Sequence, residues 1–486
     1  MTARVLIVGG GWAGLAAAVR ACERGLEVTL LEAARAWGGR ARALERESGT
    51  DLPPAPPLPL DNGQHILIGA YTQTLGLMQR LGVDLSTHLH AMPLDLRFAD
   101  GSGLATPSWA LRWPAPLDTV AAMACARGWS WRDRAALLAA AARWRLSGFA
   151  CAPSASVASL CASLPPRVWH ELIEPLCVAA LNTPAQQASG QVFLTVLRDA
   201  LLGAGHAPWR ASQLLLPRTC LGELLPLPAV RWLGQRGAHL HLGQRATGLE
   251  RSTDGLWRVH SARAAYEAEN LILACPAAEA ARLLRGLPEA PAQWIEPAAA
   301  LAHTAIGTVY VAGWLRAPWP SAHPMLALRS RGPDSPAQFA FRRDGLQAPP
   351  AAAAAAALAG GCWQPTHGEP AYQTEAERAA SGASDQSEWA ELALVASACT
   401  TDKAALQAAV LAQAREALGL HGEQVRQTVI EKRATFACTP GLRRPSAAIA
   451  PGLWAAGDYI DGPYPATLEG AVRSGLLAAE RCTTTA

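Results

Sequence analysis

The chain has 486 residues, half of them hydrophobic, and its formal net charge at neutral pH is only +3. This length and composition predict a globular protein of about two or three domains with a large core. The near balance of 42 basic and 39 acidic side chains argues against nucleic acid as a partner. No apolar run reaches the roughly 18 to 20 residues of a membrane-spanning helix. Eleven cysteines without framework spacing favour reduced thiols in the cytoplasm.

The first 31 residues predict a dinucleotide-binding unit. An apolar strand over residues 5–8 runs into the string GGGWAG, which fits GxGxxG and opens an alanine-rich helix over residues 15–24. A second strand over residues 28–31 completes the unit. Phosphates would face the helix N terminus, where unpaired N–H groups and the helix dipole favour negative charge.

Five residues of this unit are candidate contacts of the dinucleotide. Gly9 permits the tight turn, Gly11 lets the backbone approach a pyrophosphate, and Gly14 lets helix and strand pack closely. Ala13 lies in the same turn. Glu32 ends the second strand about 20 residues on, where its carboxylate can accept hydrogen bonds from ribose hydroxyls.

A second glycine pair follows the second strand. Gly39 and Arg40 of the string GGR stand close enough to it for backbone and guanidinium to reach the phosphates of the same cofactor. Ordinary NAD-binding units do not need this extra contact, so the pair favours a different dinucleotide.

The polar segment LDNGQH, residues 60–65, sets an acid, two amides and an imidazole side by side in apolar and proline-rich surroundings. Such a packet predicts the polar part of a site. Asp-Asn-Gly is also a good turn sequence, so a purely backbone role stays open for Asp61 and Asn62.

Residues 129–146 predict a helix that Ser130 caps together with Asp133. Its tryptophans stand among four arginines, a combination that suits the headgroup boundary of a membrane. The alternative is a helix whose tryptophans pack inward. The residues of this pattern are Trp129, Trp131 and Trp144, with Trp109, Arg112 and Trp113 preceding them. Histidine pairs at residues 88 and 90 and at 239 and 241 lack an evident third ligand, so we expect no metal site.

A short strand and a helix close the chain. The strand runs into a turn at Gly457 and Asp458, where an acid can hold a ribityl hydroxyl. The segment at residues 465–481 predicts a helix whose N terminus can stabilise negative charge on a reduced flavin ring. Thr467 and Leu468 lie at its start. The two ends of the chain are therefore expected to share one FAD.

These strings resemble a known group of proteins. GGGWAG and GGR, with WAAGDY and PATLEGAVRSG near the C terminus, are similar to the FAD-dependent amine oxidase and phytoene desaturase superfamily. More narrowly, the chain resembles the squalene-associated flavoproteins known as hydroxysqualene dehydroxylases. The strings that carry this narrower resemblance are LDNGQHILIGAY, PLCVAALNTPAQQASGQVF and EKRATFACTPGLRRP. The segment at residues 349–387 departs from the pattern and resembles a flexible insertion.

The resemblance implies an α/β fold with a Rossmann-like FAD-binding domain and an interleaved α+β substrate domain. The FAD-binding domain would comprise residues 1–90, 215–290 and 425–486, and the substrate domain residues 91–214 and 291–424. Ala246 would lie by the adenine.

The resemblance also implies a reaction, the removal of the hydroxyl of hydroxysqualene by reduced FAD to give squalene, in hopanoid biosynthesis. Gly63 would let the backbone pass close to the flavin, while Gln64 and His65 would face the substrate. Loss of the oxygen is assisted by an acid whose pKa is near neutrality. We expect His65 to be that acid and Asp61 to orient it or hold the loop; a histidine that only hydrogen-bonds near the flavin is the alternative.

Residues that hold FAD do not reveal the direction of electron flow, because both directions use the same flavin N5. A carotenoid or phytoene-type desaturase or a flavin oxidase is therefore the alternative enzyme, and a non-catalytic FAD-binding lipid carrier is the second alternative. The single dinucleotide fingerprint predicts an external electron donor. A long isoprenoid substrate favours peripheral contact with the inner face of the cell membrane.

Overall fold

The computed structural model describes residues 2–44, 59–346 and 387–482. The insertion expected at residues 349–387 lies outside the described residues, apart from Ser387.

The strands, in chain order, are β1 Arg4–Val8, β2 Glu27–Leu31, β3 Leu67–Ile68, β4 Leu89–Met92, β5 Asp95–Arg97, β6 Gly103–Ala105, β7 Leu214–Pro217, β8 His239–His241, β9 Ala246–Arg251, β10 Trp257–Ser261, β11 Ala265–Ala268, β12 Asn270–Leu273, β13 His303–Leu315, β14 Met325–Ala327, β15 Phe339–Arg342, β16 Glu388–Ser397, β17 Leu420–Phe436, β18 Ala448–Ala450 and β19 Leu453–Ala455.

The helices, in chain order, are α1 Trp12–Glu23, α2 Thr72–Arg80, α3 Leu85–His88, α4 Leu117–Ala124, α5 Trp131–Leu146, α6 Val157–Leu160, α7 Pro166–Val168, α8 Glu174–Leu181, α9 Gly190–Leu202, α10 Leu221–Leu224, α11 Pro226–Gly234, α12 Ala277–Leu284, α13 Ala292–Ala299, α14 Lys403–Leu418 and α15 Leu468–Arg481.

A six-stranded sheet organises the glycine-rich end of the chain, with strand order β18-β19-β12-β1-β2-β8. All its pairings are parallel except that of β18 with β19. The apolar runs of β1 and β12 are buried on both faces, as expected for central parallel strands. Val5 and Ile7 pack towards α1 and α15, whereas Leu6 and Val8 pack towards α12. The predicted α/β class with a Rossmann-like unit is confirmed.

A second, antiparallel sheet has strand order β14-β15-β16-β13-β17. Val309 and Val311 on β13 pack on one side with residues of α14. Tyr310, between them, points to the other side and joins a large apolar group that we call the aromatic cluster. Its aromatic members are Phe98, Trp129, Trp144, Phe149, Phe193, Tyr310, Phe339 and Phe341.

Three of the domain boundaries expected from the sequence fall inside strands. Residue 90 lies in β4, residue 214 in β7 and residue 424 in β17. The boundary at residue 424 is wrong for a physical reason. Strand β17 pairs with β13 from Leu420 to Phe436, so it cannot be divided between two domains. We therefore propose the same two interleaved domains, with the last boundary after Phe436.

The helix expected over residues 129–146 is present as α5, and its capping box of Ser130 and Asp133 is formed. The prediction that its tryptophans form a membrane face is, however, wrong for two of the three, because Trp129 and Trp144 do not face solvent. Trp129 is buried and its Nε1 donates to Glu171 at 2.8 Å, and Trp144 is buried in the aromatic cluster. Only Trp131 is exposed, at 72%. Helical spacing alone does not say which side of a helix meets the core.

Candidate active site

The turn between β1 and α1 is built for close approach of the backbone. Gly9 has φ +115°, and a Cβ there would lie 2.5 Å from the carbonyl oxygen of Ala274. A Cβ on Gly14 would lie 1.8 Å from the oxygen of Gly9, and Ala13 beside it is buried. The helix begins after Gly11 with no side-chain cap. Its first N–H groups therefore remain available to an anion such as a phosphate.

The second glycine pair lies directly against this turn. Gly38 donates to Gly10 O at 2.9 Å and forms a bridge with Gly11. A Cβ on Gly39 would approach Gly11 Cα to 3.2 Å. This packing carries Arg40 to the same edge of the sheet.

Arg40 joins the two ends of the chain. Its guanidinium lies 2.5 Å from the carboxylate of Asp458 and donates to Ala434 O at 2.7 Å. Asp458 is buried and raises the pKa of Arg40, so the guanidinium is charged. Gly457, which precedes Asp458, donates its N–H to Ser474 of α15 at 2.8 Å. The structure thus brings Arg40 together with Gly457 and Asp458.

Glu32 follows β2, and its carboxylate accepts from Gly10 N at 2.6 Å and from Ala34 N at 2.7 Å. Gln244 donates its N–H to Glu32 O at 2.8 Å, two residues before the buried Ala246. The residues expected at the ribose and at the adenine therefore lie at the same end of the sheet.

Thr467 caps α15, because its Oγ1 accepts from Gly470 N at 3.0 Å, and Leu468 is the first helical residue. No role is expected from the sequence for the next residue, Glu469. Its carboxylate is fully buried and accepts from Thr74 N at 2.9 Å at the start of α2. An acid between a leucine and a glycine in the first turn of a helix does not indicate a partner so distant in the sequence.

The polar segment lies beside Arg40. Asn62 Nδ2 donates to Arg40 O at 3.1 Å and to Glu431 at 3.0 Å. Gly63 has φ +128°, and a Cβ there would contact His65 and Thr308 at 3.7 Å each. The hydroxyl of Thr308 is buried with no hydrogen-bond partner, so a polar atom of a ligand could satisfy it.

His65 lies in this segment with its Nδ1 2.9 Å from Gly63 O. Burial lowers the pKa of His65, so the neutral imidazole is favoured at neutral pH. A neutral ring that donates from Nδ1 presents Nε2 as an acceptor. Gln64 Nε2 donates to His65 O at 3.4 Å.

Asp61 is held by two contacts from distant elements. Its Oδ1 accepts from Leu221 N at 2.9 Å, and its carbonyl oxygen accepts from the hydroxyl of Tyr310 at 3.0 Å. Burial raises the pKa of Asp61 to about 7, although the Leu221 N–H and the nearby Arg343 oppose the rise. Tyr310 and Arg343 were missed at the sequence level, since each stands alone in a strand region far from the polar segment.

The residues fit an FAD. The uncapped helix start and Arg40 can hold phosphates, Glu32 and Asp458 can accept from sugar and ribityl hydroxyls, and the α15 N terminus can face the flavin ring. A Cβ at Gly9 or Gly14 would clash with neighbouring backbone atoms. Glycine at these positions therefore leaves the backbone open to close approach by the cofactor.

Fold and site together define a dinucleotide-binding flavoprotein of the oxidoreductase class. Residues 12–483 match the model of the flavin-containing amine oxidoreductases; the chain belongs to that family and is an FAD-dependent oxidoreductase. The family and the cofactor predicted from the motifs are confirmed.

Two curated relatives carry a narrower description. The chain is 29% identical over 309 residues to a hydroxysqualene dehydroxylase of Sinorhizobium fredii, and 26% identical over 313 residues to one of Rhodopseudomonas palustris. Each match covers 59% of this chain and 65% of the relative, just under two thirds of its length. Among solved structures, cyclohexylamine oxidase of Brevibacterium oxydans shares the fold, with a TM-score of 0.61 at 16% identity over 99% of this chain and 98% of the other.

Proposed function

We propose that the protein removes the hydroxyl of hydroxysqualene to give squalene, as a step of squalene and hopanoid biosynthesis. The observation that carries the proposal is the setting of the polar segment. Leu60 and Ile66, the two residues that flank the polar positions, pack against the aromatic cluster. Asn62 of the same segment donates to the carbonyl oxygen of Arg40, which we place in the dinucleotide site. A polar packet between a flavin site and an apolar core suits a long hydrocarbon that bears one hydroxyl.

The reduced flavin supplies a hydride when bound. The chain's own groups orient the alcohol and handle its oxygen, and we place Asp61, Gln64 and His65 in that set. Gly63 gives the cofactor backbone access at the polar segment. The electrons that reduce the flavin come from an external donor.

The decisive experiment is anaerobic. The purified protein is loaded with FAD, reduced, mixed with hydroxysqualene, and followed by flavin absorbance and product extraction. Reoxidation with stoichiometric squalene supports the proposal. A desaturated product from the oxidised protein supports a desaturase, and binding without either change supports a lipid carrier; each outcome would overturn the dehydroxylase.

We also propose peripheral membrane contact, at Trp109 and Trp113 of the expected pattern rather than along α5. Trp109 and Trp113 are 57% and 43% exposed, and their rings lie 4.9 Å apart. Leu111, Leu117 and Val120 are exposed beside them in the chain. We call these five residues the apolar loop surface. Exposed tryptophans and leucines suit the headgroup boundary, where a hydrocarbon substrate would be met.

Arg210 supports the backbone of the apolar loop surface. Arg210 donates to Trp113 O at 2.6 Å and lies 3.4 Å from the buried carboxylate of Asp118 in α4. None of the helices formed by the described residues is long and apolar enough to cross a membrane.

A further inference from the structure

A small cavity lies on one side of the polar segment. Its volume is about 10 Å³, near the roughly 10–15 Å³ that one water molecule needs. Its polar walls are side chains from four separate parts of the chain: Asp61 and Gln64 of the polar segment, Thr219 after β7, Tyr310 of β13 and Arg343 after β15. A polar cavity of this size accepts a single oxygen atom with its hydrogens.

The carboxyl of Asp61 is fixed at this cavity. Leu221 N donates to Oδ1 at 2.9 Å, and the Tyr310 hydroxyl fixes the backbone of the same residue at 3.0 Å. One carboxyl oxygen is thus engaged by the protein at the start of α10, and Asp61 is one of the residues that line the cavity.

We propose that protonated Asp61 is the acid of the reaction, and that the cavity receives the hydroxyl oxygen of an isoprenoid alcohol as it departs. The inference rests on the proposed function and assigns the proton to a different residue from the histidine expected at first. His65 becomes a positioning residue, because its Nδ1 is engaged with Gly63 O and fixes the turn of the polar segment.

The step balances. The carbon–oxygen bond breaks with its electron pair on oxygen, which takes the proton of Asp61 and leaves as water. The carbon gains a hydride from the reduced flavin, which is oxidised to FAD. Asp61 is left as a carboxylate and regains its proton from solvent.

Several charged or titratable groups face Asp61. Burial raises the pKa of Tyr310 and of Cys220, so both stay protonated near neutral pH. Arg343 donates to Pro59 O at 3.0 Å, lies 5.2 Å above the Tyr310 ring, and faces Glu391 as well as Asp61. Its positive charge stabilises the carboxylate that the proton transfer leaves behind. With a pKa raised to about 7, Asp61 changes charge near neutral pH.

The test compares Asp61→Asn with the wild type in single turnovers of the reduced, FAD-loaded enzyme. Asparagine keeps an oxygen for Leu221 N, so fold and FAD uptake are retained, but it cannot supply the proton. We expect the rate of squalene formation to fall by about 10²- to 10⁴-fold at pH 7. The wild-type rate should fall as pH rises above about 7. Asp254→Asn, an exposed acid of the turn between β9 and β10, is the matched control and should keep the wild-type rate.

An infrared measurement needs no substrate. The carbonyl stretch of a protonated carboxyl should be present in FAD-loaded wild type, titrate near neutral pH and be missing in Asp61→Asn. This readout stands even if the variant folds poorly, because the titration is followed in the wild type.

The outcomes separate two failures. A wild type that forms squalene while Asp61→Asn does so at the same rate overturns the role of Asp61 and leaves the proposed function intact. A wild type that forms no squalene overturns both. A wild-type spectrum with no titrating carboxyl band overturns the role of Asp61 by itself.

Discussion

At the scale of single residues, Arg40 links the first glycine turn to the last helix. Its guanidinium lies 2.5 Å from the carboxylate of Asp458, and both lie where the cofactor phosphates and ribityl chain are expected. Removal of Arg40 would leave a buried carboxylate without its partner beside an anionic ligand. Such a change costs more than the lost hydrogen bonds alone.

We expect Arg40→Ala to weaken FAD binding by about 10- to 100-fold, since hydrogen bonds to charged groups contribute about 1.5–3 kcal/mol. Titration of the apoprotein with FAD, followed by flavin fluorescence, measures the dissociation constant. Arg35→Ala is the matched control, because Arg35 is exposed on the same connection. Equal dissociation constants for Arg40→Ala and the control would show that Arg40 does not hold the cofactor.

Asp61 should also make the free energy of unfolding depend on pH. Its folded-state pKa of about 7 lies above the ordinary value of 3.8, so the native state holds the proton over a range in which the unfolded chain has lost it. The contribution of this residue is therefore fully present below about pH 4 and is lost as pH rises to about 7.

We accordingly expect the free energy of unfolding of the wild type to fall, relative to Asp61→Asn, by a few kcal/mol between about pH 4 and pH 7. Urea unfolding of both proteins at a series of pH values measures the difference. Profiles that stay parallel across this range would show that Asp61 is ionised in the folded protein.

At the scale of secondary-structure elements, Glu469 connects α15 to α2. Its carboxylate accepts from Gln73 N, Thr74 N and the Thr74 hydroxyl, and pairs with Arg473 at 2.6 Å. A negative group at the start of α2 satisfies N–H groups that no helical carbonyl reaches. The contact holds α15, the helix expected to face the flavin, against the segment that follows β3.

Glu469→Ala should destabilise the protein by about 3–5 kcal/mol, because it leaves N–H groups at the start of α2 without an acceptor and removes the carboxylate that pairs with Arg473. Urea unfolding of the FAD-loaded protein measures this loss. Glu480→Ala on the same helix is the control, since its pair with Arg20 is exposed and worth at most about 1 kcal/mol. A loss at Glu469 no larger than at Glu480 would contradict the proposed link.

At the scale of the whole molecule, the apolar loop surface provides a test of membrane contact. We expect Trp109→Ser with Trp113→Ser to weaken binding to phospholipid vesicles, measured by co-sedimentation, by about 10²-fold or more, since each buried aromatic side chain contributes about 1.5–3 kcal/mol. Leu477→Ser, an exposed apolar residue of α15, serves as the control. Unchanged sedimentation of the double variant would place the lipid contact elsewhere or remove it.

The sequence predicted the dinucleotide unit well, because its signals are local. A glycine turn, the helix after it and the acid at the end of β2 are fixed by steric rules that act over a few residues. The pairing of the two chain ends was also predictable, since Arg40 and Asp458 each follow a strand of a recognisable string. The inward tryptophans of α5 were not, because burial depends on what packs against the helix.

By itself, then, the sequence determined the family, the cofactor and the residues of the glycine turn. Only the tertiary structure decided which groups surround the polar segment. Tyr310 and Arg343 reach Asp61 from positions 249 and 282 residues away, and their effect is to desolvate its carboxyl and to face it with a cation. A pKa is set by the solvent and charges around a group, and these exist only once distant strands have come together.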